Sequence, residues 1–184
     1  NKSTFDIIKK EENQNERVNI CVAFSLIKEQ KLNYLLQKTS ELGVNKLIPI
    51  ETKRCVVKID GSKEKTKIDR WKKICKEASE QSFRSDIPEI SSILTLQGLV
   101  DLDYDLKLVC SLNKNTKNIK KILEKNNKCV KILLVVGPEG GFDPLEEEYL
   151  LENGFKSVSL GENVLRAETA PVVALSMINY EFMR

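Results

Sequence analysis

The chain has 184 residues, a length that suits one domain with a substantial hydrophobic core. Hydrophobic residues make up 41% of it and charged residues 31%, which is ordinary for a globular protein and excludes an intrinsically disordered chain. The formal net charge of +3 is too small to identify a partner, although the basic residues concentrate in 53–76 and the acidic ones in 139–152.

Two residue counts narrow the chemistry. The chain contains no histidine, which excludes Ser-His and Cys-His nucleophiles, histidine acid–base catalysis and the usual zinc sites. The chain has five cysteines, an odd number, and none forms a CxxC pair. Cys21, Cys110 and Cys129 lie in or beside apolar strand segments and resemble small buried hydrophobic residues, which fits a reducing compartment. No apolar run is long enough to span a membrane. We therefore expect a cytoplasmic protein with no metal and no membrane segment.

Strand and helix signals alternate from residue 18 onward. Residues 1–17 end in a polar, charged stretch that reads as a linker or a hairpin tip. Hydrophobic periodicity and turn residues then predict, in chain order, strand 18–26, helix 28–42 ended by Gly43, strand 46–50, a turn at Asp60-Gly61, helix 66–83 and a short strand 90–94.

The second half of the chain continues the same alternation. We predict strand 106–111, helix 119–125, strand 128–136, a capped helix ending at Asn153, a strand from Ser157 to Leu160 and a final helix 171–182. Strands that alternate with helices predict an α/β fold, with a parallel sheet covered by helices on both faces. No second domain boundary is visible after Val18, so 18–184 reads as one domain.

A glycine-rich turn, Gly137-Pro138-Glu139-Gly140-Gly141, joins a buried strand to a helix with strong start signals. Asp143 suits the N-cap, Pro144 the first helical position, and Glu146 completes a capping box. Such a turn places a ligand against bare backbone at the carboxyl end of a parallel sheet. It matches neither the dinucleotide fingerprint nor the P-loop, and a tight turn that needs glycine for its backbone geometry remains the alternative.

A second turn, residues 160–170, also lies between a strand and a helix. Its polar residues Arg166, Glu168 and Thr169 could be a surface ion pair and a helix cap, or could face a ligand. Two such loops on neighbouring strand ends favour the interpretation that these residues face a ligand. Arg54, which follows a strand end, is either a phosphate contact or an ordinary surface arginine, and the polar run 77–84 reads first as a solvated helix end.

These motifs, in this order and spacing, resemble the RsmE family within the SPOUT superfamily of knotted methyltransferases. The resemblance covers Val18 to the C-terminus and rests on the two turns above together with three upstream stretches, 38–44, 54–58 and 77–90. It implies a sheet whose C-terminal segment forms a deep trefoil knot, one of the rare exceptions to unknotted chains. It also implies a small PUA-like RNA-binding barrel before the methyltransferase domain, of which 1–17 would hold a remnant at most.

The resemblance further implies S-adenosylmethionine as cofactor and methylation at N3 of a uridine in small-subunit ribosomal RNA, by a homodimer. The cofactor would be held largely by backbone groups of three loops. The residues expected there are Ser111, Leu112, Val136, Gly137, Pro138, Glu139, Gly140, Leu160, Gly161, Val164, Leu165 and Arg166.

For catalysis, the resemblance makes Arg166 the first candidate for stabilising charge on the uracil ring and Arg84 the second, with Glu168 orienting Arg166 or accepting the proton. Arg54, Lys58 and Arg84 are the expected RNA contacts. Two other hypotheses remain at this point. One is a knotted RNA-binding or ribosome-assembly protein without catalysis, and the other is a flavodoxin-like nucleotide-binding domain.

Overall fold

The fold is known from a computed structural model, which describes residues 18–113 and 116–182. The predicted remnant or linker 1–17 lies outside the described residues. The strands are β1 (Asn19–Ser25), β2 (Lys46–Ile50), β3 (Glu89–Ile90), β4 (Leu106–Cys110), β5 (Lys117–Asn118), β6 (Lys131–Val136) and β7 (Lys156–Ser159). The helices are α1 (Glu29–Glu41), α2 (Gly61–Gln81), α3 (Leu96–Val100), α4 (Ile119–Lys125), α5 (Pro144–Glu152) and α6 (Ala170–Phe182).

The seven strands form one sheet in the order β3-β2-β1-β6-β4-β7-β5, and every pairing is parallel. The central strands β1, β6 and β4 are nearly continuous hydrophobic runs, as expected for strands covered on both faces. Because all strands run the same way, their carboxyl ends meet at one edge of the sheet. The α/β class and the parallel sheet predicted from the sequence are confirmed.

Alternate residues of each strand point into two separate core layers. Val22, Leu134 and Leu108 share one layer with residues of α1, α2, α4 and α6. Ala23 and Val135 share the other layer with residues of α3 and α5. The sheet is therefore covered on both faces, and α5 lies on the face opposite to α6. Among the described residues, no helix combines the length and the apolarity needed to cross a membrane.

Several element boundaries differ from the sequence-based prediction. The predicted turn at Asp60-Gly61 is wrong, because helix α2 already begins at Gly61. The Asp60 carboxylate accepts a hydrogen bond from Ser62 N at 2.9 Å and caps the helix. The predicted strand 90–94 reduces to the two-residue β3 and one bridge between Leu94 and Ile50. The short elements α3 and β5 were not predicted.

Candidate functional site

A cavity of about 860 Å³ opens at the carboxyl ends of the neighbouring strands β6, β4 and β7. Its walls are the three segments that follow these strands: 136–142 after β6, 110–113 after β4, and 158–167 after β7. The carboxyl edge is where open parallel sheets hold their ligands, and the volume lies in the range typical of small-molecule sites.

The segment after β6 is a tight turn that glycine makes possible at two positions. Gly141 has φ +67°, a conformation that L side chains rarely adopt. A Cβ on Gly137 would lie 3.1 Å from the ring of Phe142, so the closely packed ring leaves no room for a side chain there. The predicted capping box is confirmed: Asp143 accepts from Leu145 N, and Glu146 Oε2 accepts from Asp143 N. The packing of Phe142 against Gly137 thus fixes one end of the turn, and the capping box at Asp143 fixes the other.

Basic residues from the segment after β2 and from helix α1 hold this turn in place. Arg54 Nη1 donates to the carbonyl oxygen of Gly140 at 2.8 Å, and Lys31 Nζ pairs with Glu139 Oε1 at 2.9 Å. Lys53 pairs with Asp143 through its side chain at 3.2 Å and donates its backbone N–H to Glu146 Oε1 at 2.7 Å. Residues distant in sequence therefore clamp the glycine turn from outside.

The same contacts shift the pKa values of two carboxylates, those of Glu139 and Asp143. Desolvation alone would raise the pKa of Glu139, but its hydrogen bond and charge attraction to Lys31 hold that pKa below its ordinary value. Desolvation also opposes the shift at Asp143, yet Lys53, the Leu145 N–H and the nearby Arg54 charge lower its pKa. Both carboxylates therefore become protonated at a lower pH than ordinary carboxylates do, which favours the clamp as the pH falls.

The segment after β7 carries one exposed arginine beside a buried carboxylate. The Arg166 side chain is 79% exposed at the cavity, and its Nη1 lies 4.0 Å from Glu168 Oε1. Glu168 is only 8% exposed, and its Oε2 has no hydrogen-bond partner. This arrangement leaves the guanidinium donors of Arg166 available to a ligand, while the neighbouring carboxylate offers it only one long contact.

The segment after β4 supplies small and polar groups. Ser111 Oγ accepts from Asn113 N at 3.0 Å, and Leu112 packs against Gly141, lying 3.6 Å from where a Cβ would stand. Cys110 lines the cavity at the strand end, and desolvation raises the pKa of its thiol to about 12. Cys110 is therefore a neutral wall residue at physiological pH, with no thiolate character.

All the residues predicted for a cofactor site line this one cavity, including Val136 to Gly140 and Leu160 to Arg166. Arg54 lies at the same edge, and Glu168 is adjacent through Arg166. Lys58 does not reach the cavity; it lies exposed beside a smaller groove near Trp71.

The structure does not bring Arg84 to the cavity. Its guanidinium donates to the carbonyl oxygens of Ser40 at 2.6 Å and Val44 at 3.0 Å, and it pairs with Asp86 at 2.7 Å. Val44 lies two residues before β2, so Arg84 lies at the amino edge of the sheet, opposite the cavity of its own chain. Within one chain, Arg84 does not line the cavity, because its guanidinium is committed to the end of α1, and its catalytic role stays a prediction.

Sequence reasoning missed several residues of the cavity: Lys31, Asn113, Thr116, Asn118 and Glu147. Lys31 and Glu147 sit on helices whose charged residues read as solvated faces, and only the tertiary fold turns them toward the strand ends. The polar residues 113–118 follow a strand end, and that position was the available signal. Within 18–113 and 116–182, no three metal-ligating side chains come together in a way that could hold a metal ion.

The chain matches known proteins over most of its length. The model of the RNA methyltransferase domain family matches residues 14–179. The ribosomal RNA small subunit methyltransferase E of Bacillus subtilis is 38% identical over 92% of this chain and 69% of that protein. The crystal structure of a ribosomal RNA small subunit methyltransferase E from Neisseria gonorrhoeae, bound to S-adenosyl methionine, has a TM-score of 0.82 and 30% identity over 92% of this chain and 69% of that one. A structure from Legionella pneumophila, in complex with the cofactor SAM, has a TM-score of 0.83 and 34% identity over 89% and 66%.

Proposed function

Because this chain belongs to the RNA methyltransferase domain family, with ribosomal RNA small subunit methyltransferase E proteins among its relatives, we propose that it methylates small-subunit ribosomal RNA with S-adenosylmethionine as the methyl donor. The target we propose is N3 of a uridine. The observation that carries the proposal is the glycine-lined cavity at the carboxyl ends of β6, β4 and β7. These comparisons favour an enzyme over a flavodoxin-like nucleotide-binding domain.

The residues of the cavity fit S-adenosylmethionine. Glycine and other small residues in all three of its wall segments leave N–H and C=O groups able to read the edge of an adenine ring. The buried carboxylate of Glu147 has an oxygen without a partner, which suits a ligand that carries positive charge. We expect Val136 to Gly140, Ser111, Leu112 and the turn Leu160 to Leu165 to hold the cofactor. When bound, it supplies a methyl group on a sulfonium centre, which is open to in-line displacement.

Arg166 is the residue we assign to the reacting base. Loss of the N3 proton places negative charge on a uracil ring, and the exposed guanidinium at the cavity can donate hydrogen bonds to that charge. Glu168 is a positioning residue in this proposal: its carboxylate lies 4.0 Å from the Arg166 guanidinium, is buried, and keeps one oxygen free. In a chain that has no histidine, we also propose Glu168 as the group that accepts the N3 proton.

Ribosomal RNA would approach over the basic residues beside the cavity. Arg54 and Lys58 are exposed on the segment that leads from β2 into α2, and α2 itself carries seven basic against four acidic residues. A positive surface that continues from the cavity matches the phosphate backbone of RNA. Such a reaction takes place where ribosomal subunits mature, and we propose the cytoplasm.

We also propose that the C-terminal segment forms a deep trefoil knot and that the protein acts as a homodimer. Chain order supports the knot: after β7, which lies beyond β4, the chain returns toward the middle of the sheet, where α6 packs on α1 and β6. In this position α6 also packs on α4, which lies between β4 and β6 along the chain. For the dimer, Tyr180 of α6 and Tyr34 of α1 are exposed on adjacent helices. Sedimentation equilibrium tests the dimer directly.

The experiment that tests the function has a binding arm and a transfer arm. Titration calorimetry with S-adenosylhomocysteine should give about one site per chain, no heat with ATP, and no binding in Gly140→Trp, whose side chain would fill the cavity beside Arg54. Labelled S-adenosylmethionine and unmodified small subunits should then yield N3-methyluridine on nucleoside analysis. Binding without transfer would favour the non-catalytic RNA-binding alternative, and a folded chain that binds neither ligand would overturn the proposal.

A further inference from the structure

Glu147 is the one member of the acidic run on α5 that lines the cavity. It is only 9% exposed, and no hydrogen-bond donor reaches its Oε1 among the described residues. Its neighbours on the helix differ. Glu146 uses both oxygens, on the N–H groups of Lys53 and Asp143, and Glu148 is exposed. Glu147 is therefore neither a capping residue nor part of a solvated face.

An ionised carboxylate that is buried without a partner destabilises the protein unless a charged donor satisfies it. Among the described residues, no cationic side chain of the cavity forms an ion pair with Glu147. Lys31 pairs with Glu139 at 2.9 Å, Arg54 donates to the carbonyl of Gly140 at 2.8 Å, and Arg166 lies nearest Glu168 at 4.0 Å. Within the described part of the chain, the charge of Glu147 thus lacks a counter-charge, and a cationic group on the ligand is the remaining source.

We propose that Glu147 binds the α-ammonium group at the amino-acid end of the cofactor; this rests on the proposed function. An ammonium group combines positive charge with three N–H donors, which is the partner that an unsatisfied carboxylate needs. The terminal torsion of a glutamate side chain is broad, so either carboxylate oxygen can turn toward the cavity. Glu147 would then be a residue that selects ligands with an amino group over those without one.

The test compares two ligands that differ in the ammonium group alone: S-adenosylhomocysteine and its deamino analogue. By calorimetry, Glu147→Leu should weaken S-adenosylhomocysteine at least tenfold and leave the deamino analogue within about twofold. Glu147→Gln, which keeps the shape but not the charge, should show the same selectivity with a smaller loss. Glu148→Leu, the same substitution at the next residue, should change neither affinity.

A second readout is the melting temperature of the ligand-free protein. Removing an unsatisfied buried carboxylate should raise it by roughly 2–4 °C in Glu147→Leu, whereas a structural role would lower it. Equal losses for both ligands, or no loss at all, would each overturn the assignment. Failure of the unsubstituted chain to bind S-adenosylhomocysteine would instead count against the proposed function itself.

Discussion

Arg166 and Arg84 carry the same guanidinium group in opposite circumstances. The Arg84 side chain is 10% exposed, and its donors are occupied by two carbonyl oxygens and a carboxylate. The Arg166 side chain is 79% exposed, and its nearest ion-pair partner among the described residues, Glu168, lies 4.0 Å away. Only the second arrangement leaves donors for a reacting base, so the two residues should respond differently to the same substitution.

We expect Arg166→Ala to lower the single-turnover rate of methyl transfer about 10²–10³-fold, as loss of one preorganised donor does at other sites of developing charge. The calorimetric affinity for S-adenosylhomocysteine should stay within a few-fold. Arg84→Ala should instead lower the melting temperature, because the carbonyls of Ser40 and Val44 lose their donors. A rate unchanged in Arg166→Ala would remove this residue from the mechanism.

The buried thiol of Cys21 makes the free energy of unfolding depend on pH in the alkaline range. It is fully buried in β1, and desolvation raises the pKa of its thiol from 9.0 to about 12. Between these values the folded chain keeps the proton that the unfolded chain loses. The free energy of unfolding should therefore fall as pH rises from about 9, by about 1.4 kcal/mol per pH unit from this thiol.

Urea unfolding at several pH values between 8 and 11 measures that slope. Cys21→Ala should flatten it by about this amount, and Cys55→Ala, at a partly exposed thiol, serves as the matched control. Burial also raises the pKa of Tyr104, so part of the slope persists in both variants. Identical slopes in all three proteins would contradict the assignment to Cys21.

At the scale of elements, helix α5 joins local sequence signals to a tertiary clamp. Glu146 closes the capping box at Asp143 N with one oxygen and accepts the Lys53 N–H with the other. It is 8% exposed, so its loss leaves two N–H groups without an acceptor in a largely buried place. The start of α5 and the segment after β2 are thus one unit.

We expect Glu146→Ala to lower the free energy of unfolding by about 2 kcal/mol, from loss of the cap and of a buried charge-assisted hydrogen bond. Chemical denaturation measures this directly. Glu148→Ala, at an exposed position of the same helix, should cost about 0.5 kcal/mol or less. Similar costs for both substitutions would mean that the link to Lys53 contributes little.

A residue with unusual backbone geometry follows the end of helix α2. Phe83 adopts φ +55°, the left-handed conformation that glycine normally supplies after a helix, and is 96% exposed. We expect Phe83→Gly to stabilise the protein by about 1 kcal/mol, seen as a rise of roughly 2–4 °C in melting temperature. Phe83→Ala removes the ring but keeps the strain, so it should gain much less. Equal gains would attribute the effect to the exposed ring.

These elements also show what sequence could predict. The start of α5 follows from Asp143, Pro144 and Glu146, which act within one helical turn, and its prediction is confirmed. Glu147 belongs to the same acidic run, but the local sequence does not show that it is buried, because its burial depends on how α5 packs on the sheet. Arg84 depends on carbonyl groups some forty residues away. Local signals predicted the elements and the cavity loops, while contacts between distant segments decided which charged side chains reach the site.

Across the whole molecule, exposed basic residues lie at both ends of the sheet. Those of α2 and of the segment before it lie toward the β3 end, and the lysines of α4 lie toward the β5 end. Because Arg54 lines the cavity and precedes α2, we propose that a ligand spanning the cavity and many phosphates extends over α2.

We expect binding to a small-subunit rRNA transcript to weaken steeply with salt. In Arg54→Ala/Lys58→Ala, the slope of log affinity against log salt should become shallower by about 1.4, for two phosphate contacts. Lys120→Ala/Lys125→Ala on α4 makes the same charge change away from the proposed path and should leave the slope unchanged. Filter binding between about 50 and 200 mM salt measures all three proteins. A flat response would argue against a phosphate-tracking surface.

The order of the cavity segments along the chain has a consequence during synthesis. The walls come from 110–113, 136–142 and 158–167, so the pocket cannot exist until residue 167 has left the ribosome. A nascent chain that stops before β7 gains no stability from the nucleoside, because a ligand stabilises only the state that binds it. An enzyme that modifies ribosomes would thus remain inert on the ribosome that makes it, and would gain its ligand only after β7 and the turn that follows have been translated.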